Sequence, residues 1–169
     1  MAISMYSASV PVFTRMLGHL AAWLDKAEAH AQAKKFDASV YLAARLAPDM
    51  LPLPKQIQIA CDAAKFGVAR LAGVEAPKFD DNEASLAELR ERIRKTIEFV
   101  RSIPSAAIEG TEDKDVTVPR RDGNIVLKGE FYLKHYVQPN FYFHVTTAYA
   151  LLRHNGVELG KADYLGALK

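Results

Sequence analysis

The sequence predicts an all-α protein: four long amphipathic helices packed as a bundle, with one small β-hairpin inserted before the last helix. Three observations predict it. Apolar residues recur at three- and four-residue steps over most of the chain, the mark of a helix with one buried face. These periodic stretches are separated by short breaks rich in proline and glycine, as loops between bundle helices require. Only residues 115–128 change pattern, to two short strands around a turn containing Asp-Gly. The 169 residues are expected to form a single domain, residues 1–169, because a domain of roughly 150 residues buries about 68–70% of the surface its unfolded chain exposes.

In the first helix Phe13, Met16, Leu17, Leu20, Leu24 and Ala27 form the apolar face. Ser7 or Ser9 with Pro11 opens it, since proline is tolerated in a first turn, and it is expected to run to about Ala31. Phe36 to Ala47 fits a shorter helix, and APDMLPLP, with three prolines in eight residues, is a loop. A second helix follows Pro54, with Ile57, Ala60, Cys61, Ala64, Val68 and Leu71 as its core stripe. Ala60, Ala63 and Gly67 give it a face of small side chains that permits close approach, and Gly73 stops it. The third fits Asn82 to Ser102, with Leu86, Leu89, Ile93, Ile97 and Val100 inward, a cap at Asp81 or Asn82 and Pro104 past its end. The last helix covers some or all of Glu130 to Asn155. Pro139 either starts it or kinks a longer one; Gly156 ends it, and VELGKADYLGALK is a strap over the bundle.

Charge excludes some partners. The formal net charge is +2, with both signs scattered, which argues against nucleic acid. Arg90, Arg92, Arg94, Lys95 and Arg101 interleave with Glu88, Glu91 and Glu98, which reads as a solvated helix face. No run approaches the ~20 apolar residues of a membrane span, and no export signal is visible. Cys61 is alone and has no internal disulfide partner. These features point to a soluble, cytoplasmic protein.

The candidate site residues lie on the second and last helices. Asn140, His144 and Thr147 share one face of the last helix because they are three or four residues apart. His144 therefore reads either as a core histidine with a satisfied hydrogen bond or as a ligand or base facing a cavity, with Tyr142 beside it. Gln58, Asp62 and Lys65 make a polar stripe on the second helix. That stripe is either a solvent-facing edge or the source of an Asp62–His144 dyad across the bundle. His19 and His135 are the other histidines within range of a site, whereas His30 and His154 belong to helix ends. Cys61 reads as a small buried hydrophobe.

PNFYFHVTTAYALLRHNGVELGKADYLG, residues 139–166, resembles the C-terminal signature of the domain-of-unknown-function family 1993, grouped with the DinB/YfiT-like bundles. SASVPVFTRML near the N-terminus, the proline-rich loop, the hairpin and the tail extend the resemblance over nearly the whole chain. It implies an up-up-down-down four-helix bundle, a homodimer and, in many superfamily members, a divalent metal held by three histidines. One of these lies on helix two and two lie four apart on the last helix. His144 matches the second of that pair, but Asn140 stands at the first, and helix two offers only Gln56, Gln58 and Asp62. A degenerate site would combine His144 with Asp62, His19 or His135, and a divalent metal is not expected at full occupancy. The resulting expectation is a small-molecule ligand bound beside His144, by Asn140, Thr147, Asp62, Gln58 and Tyr142, without an intact metal centre. The alternatives are a metal-dependent thiol or group transferase and a structural dimer with a side-chain-filled core.

Overall fold

The computed structural model describes residues 3–167. Four long helices dominate: α1 (Val10–Lys34), α2 (Leu53–Ala72), α3 (Leu86–Ser102) and α5 (Gln138–His154). A 3₁₀ turn, Ala38–Ala43, occupies the short helical stretch after α1. Strands β1 (Asp115–Val118) and β2 (Ile125–Lys128) form the hairpin, and α4 (Gly129–Phe131) leads into the last helical path. A short α6 (Lys161–Leu165) closes the chain.

The apolar periodicity places the core as expected. Phe13, Leu17, Leu20, Leu24, Ile57, Cys61, Val68, Leu89, Ile93, Phe141, Val145 and Leu152 have no exposed surface. The helices α1 and α2 each pack on both α3 and α5 and scarcely touch one another, so they stand at opposite corners. Pro11 sits in the first turn of α1, which runs one turn beyond Ala31 and stops at Lys35 with a left-handed φ of 59°.

Two boundaries differ from the sequence reading. The α3 cap is Ser85, not Asp81 or Asn82: its hydroxyl accepts from the Glu88 N–H at 3.1 Å, and the Glu88 carboxylate accepts from the Ala84 N–H at 2.5 Å. Ser-x-x-Glu before an apolar run is a capping-box pattern, and it frees residues 73–85 for another task. The last helical path also combines the two options open at Pro139. α4 continues through a π-helical turn, Tyr132–Val137, into α5, with Pro139 in the first turn of α5. Proline lacks an N–H and its ring crowds the carbonyl four residues back; the wider turn before it removes that conflict.

The hairpin pairs Val116 with Leu127 and Val118 with Ile125 on its inner face. Its other face pairs Asp115 with Lys128, whose ammonium lies 2.7 Å from the carboxylate. The C-terminal strap lies on α1. The Trp23 indole N–H donates to the Asp163 carbonyl at 3.2 Å, and Lys26 pairs with the Asp163 carboxylate at 2.6 Å.

Candidate functional site

The seam between α2 and the last helical path is built by small residues. An added Cβ at Gly67 would stand 2.6 Å from a Val137 methyl, so only glycine lets the π turn approach this closely. Eleven residues earlier on α2, Gln56 meets His144. The two contacts run in opposite order along the chains, so α2 and this path are antiparallel. Between them opens a groove of ≈150 Å³ lined by Ile59, Asp62, Ala63, Phe66, Arg70, Tyr132, Tyr136, Val137 and Asn140. Tyr132 is held in its wall: its hydroxyl donates to the Phe66 carbonyl at 3.2 Å and accepts from Arg70 at 3.1 Å. Asn140 and Tyr136 make no side-chain hydrogen bond among the described residues and keep their polar groups for the groove.

His144 lies at the far end of this seam, one helical turn beyond Asn140, with 8% of its surface exposed. Its Nδ1 is 2.7 Å from Gln56 Oε1, while Gln56 Nε2 donates to the Leu51 carbonyl at 2.9 Å. That second bond fixes the amide orientation, so His144 Nδ1 carries the proton and donates. Burial pushes the imidazole below its ordinary pKa, so the neutral ring is the folded form. The sign follows directly. The unfolded chain takes up a proton at about pH 6.5 while the folded one resists, so stability is full above that pH and falls as the solution is acidified through it. Urea unfolding between pH 7.5 and 5 should show this loss, and His144→Gln should abolish it. An unchanged slope in the variant would locate the effect elsewhere.

The remaining predicted residues do not share one cavity. Thr147 spends its hydroxyl on the Phe143 carbonyl at 2.7 Å. With Tyr142 it lines a separate, mainly apolar surface hollow beside Leu46, Phe143, Thr146 and Ala150. Gln58 faces the segment before α3, donating to Glu83 at 2.7 Å. Asp62 borders the groove with Asn140, but Oδ1 is bound to Lys65 at 3.0 Å and Arg92 at 3.1 Å. The Asp62–His144 dyad is thus replaced by two separate pairings. His19 Nδ1 lies 3.0 Å from the Tyr164 carbonyl on the strap, and His135 is exposed, its ring tilted against Phe131 at 4.6 Å between centroids. His30 is half-buried, with Nδ1 2.6 Å from the Tyr41 hydroxyl, rather than a free helix end. Burial of Cys61 pushes its thiol up to about 12, so it stays an un-ionised core group.

The second helix's polar stripe is not a solvent-facing edge. Lys65 and Gln58 are 2% and 3% exposed, and Arg92 on α3 joins them at 2%. Arg92 reaches Glu83 at 2.9 Å and Asp81 at 3.0 Å as well as Asp62. The Lys65 ammonium lies 4.3 Å from the Phe79 ring centroid and the Arg92 guanidinium 5.4 Å from it. Burial alone would raise the carboxyls of Glu83 and Asp81. At Glu83 the Arg92 bond, with a bond from Gln58 and the Arg92 charge, outweighs it; at Asp81 the Lys55 bond and then the Arg92 charge do so, and both carboxyls stay below their ordinary range. The network clamps residues 73–85 to α2 and α3. Its signal was present in the sequence: Arg92 follows Leu89 by three residues and precedes Thr96 by four, on the buried face.

With this geometry in hand, two comparisons speak to kinship. The family profile described as "Domain of unknown function (DUF1993)" matches residues 5–165. The chain belongs to the DUF1993 family. A solved structure described as a DinB family member protein from Shewanella denitrificans is similar at 48% identity and a TM-score of 0.91, over 96% of this chain and 92% of that one. No curated protein matches.

A three-histidine metal centre does not fit the residues of this DUF1993 chain. The helix-two side chain facing His144 is the amide of Gln56, already bonded to Nδ1, and Asn140 supplies another neutral amide. Such groups are poor ligands for zinc-like ions beside imidazole or carboxylate. Among the described residues no three His, Cys, Asp or Glu side chains converge on a common point, so His19, His135 and Asp62 do not complete a set with His144. Among the same residues no helix is long and apolar enough to cross a membrane. Arg70, Tyr132 and Tyr136 are the groove residues that sequence reasoning missed. The helical phase of Tyr132 and Tyr136 depends on the π turn, which no simple period reveals, whereas Arg70 lies in the last turn of α2.

Proposed function

We propose that this chain binds a small molecule in the groove between α2 and the last helical path, with Asn140 and Asp62 on its walls and the His144–Gln56 pair beyond its inner end. One observation carries the reading: a groove at a π turn, with Ile59, Ala63, Phe66 and Val137 in its wall, is lined by polar groups without a side-chain partner among the described residues, the Asn140 amide and the Tyr136 hydroxyl. Ligand sites are concave, mostly apolar and supplied with a few such groups, and π turns recur at functional sites. At ≈150 Å³ the groove suits a fragment of roughly benzene size. The opposite-corner positions of α1 and α2 and the antiparallel α2–α5 seam also support the up-up-down-down order of the helices.

The test is a calorimetric screen of ring-sized polar fragments against the native protein and Asn140→Leu, which fills the groove at a half-buried position. Binders should lose roughly tenfold or more in affinity, the worth of a lost buried hydrogen bond plus blocked space. A screen without binders, or with binders indifferent to Asn140→Leu, would overturn the assignment.

A further inference from the structure

Tyr136 is shared by two concavities. One face closes the α2–α5 groove; the residue also lines a more open hollow of ≈620 Å³ under the hairpin turn, with Pro119, Arg120, Arg121 and Asp122. The hairpin therefore lines with two arginines a hollow that shares Tyr136 with the groove, and Arg70 supplies a third arginine from the groove wall. Arg70 donates to the Tyr132 hydroxyl at 3.1 Å and lies 5.1 Å from the Phe66 ring centroid. None of the three arginines has a carboxylate partner among the described residues, whereas Arg92 and Arg90 do. Of the acids that line the two concavities, Asp62 is already balanced by Lys65 and Arg92. That leaves Asp122 alone against Arg70, Arg120 and Arg121.

Resting on the groove reading above, we infer that the ligand is a small organic anion that carries a ring. Its ring lies among Phe66, Tyr132 and Tyr136 and its carboxylate or phosphate faces Arg70, Arg120 and Arg121. Arginine suits this task because its planar fork matches both oxyanions in bidentate geometry and stacks on aromatic faces. An excess of uncompensated positive charge beside low-dielectric walls also raises the local concentration of anions. The hairpin then has a purpose beyond packing: its inner face, Val116, Val118, Leu127 and Ile125, anchors it while its turn carries the recognising charges.

Titration calorimetry with benzoate, benzamide and phenyl phosphate tests the inference on the native protein, the double variant Arg120→Gln/Arg121→Gln, Arg70→Gln and Asn140→Leu. The turn arginines are exposed, so the double variant should fold normally. Benzoate or phenyl phosphate should bind at least roughly tenfold more tightly than neutral benzamide. The double variant should remove roughly tenfold or more of that advantage, the worth of charge-assisted bonds, and added salt should weaken native binding. Preference between benzoate and phenyl phosphate separates carboxylate from phosphate within the same chemistry. Equal binding of benzamide and benzoate, both lost in Asn140→Leu, would overturn the anion and leave the groove standing. No binding of any probe would overturn both.

Discussion

Gly129→Ala is expected to cost about 3 kcal/mol or more, at the upper end of overpacking substitutions, and for a chain of this size to lower the melting temperature by about 6–12 °C. A Cβ on Gly129 would stand 1.9 Å from the Thr111 carbonyl oxygen and 3.3 Å from a Leu71 methyl. No rotamer relieves a clash with backbone. The chain there is also pinned: Gly129 N–H donates to the Lys114 carbonyl and Glu130 N–H to the Glu112 carbonyl, each at 2.9 Å. Making room for the methyl group pulls these bonds apart just where β2 hands over to α4, and so disturbs the π turn and the groove beyond it. Gly67→Ala meets only a Val137 methyl at 2.6 Å and should cost less, about 1–3 kcal/mol. Gly18→Ala, in exposed mid-α1 with nothing within 4 Å, should instead stabilise by about 0.5–1 kcal/mol. Urea unfolding of the three variants ranks them. A Gly129→Ala protein as stable as the native one would mean that the hairpin junction moves freely.

Sequence period alone carries far where burial is one-sided and apolar. The stripes of α1, α2 and α3 are read correctly because each pits an apolar face against solvent. Reading fails where a long polar side chain lies on the buried face. Arg92, Lys65 and Gln58 look solvated because charge outweighs phase in a hydropathy pattern, yet phase decides where a helical side chain points. Arg92 escapes an isolated buried charge because Asp62 meets it from α2 and because Glu83 and Asp81 arrive from a loop that follows no period. His144 shows the opposite limit. Its burial follows from the phase of α5, but its partner does not: Gln56 lies 88 residues away in sequence, and helix two offered Gln58 and Asp62 on equal terms. The groove was half legible, as Asn140 and Asp62, and its tyrosine wall depends on a local change of helix pitch. Periodicity supplied the bundle and kinship a helix order and a histidine position, whereas the neutral amides of Gln56 and Asn140 do not fit the three-histidine metal centre that kinship implied.

The clamp around Arg92 gives the second large effect. Arg92→Met keeps the volume of the stem and deletes the charge, leaving Glu83, 9% exposed, and the paired oxygen of Asp62 without a guanidinium. Breaking a buried pair from one side costs about 3–5 kcal/mol; because Asp62 and Asp81 are 33% and 46% exposed, water relieves part of this and about 3 kcal/mol is expected. The network is not perfectly satisfied even in the native protein, since Arg92 Nε and Gln58 Oε1 are buried without partners among the described residues. A double-mutant cycle isolates the charge. Glu83→Gln in the Arg92→Met background removes the stranded carboxylate, and the coupling should recover about 0.5–3 kcal/mol. Acid titration gives an independent reading. Glu83 and Asp81 are held below their ordinary range, so the stability they contribute is full above about pH 4.5 and is lost as pH falls below it. Arg92→Met should flatten that loss. If the cycle shows no coupling and the acid limb is unchanged, Arg92 acts through its packing on Phe79, and residues 73–85 are held by apolar contact instead of charge.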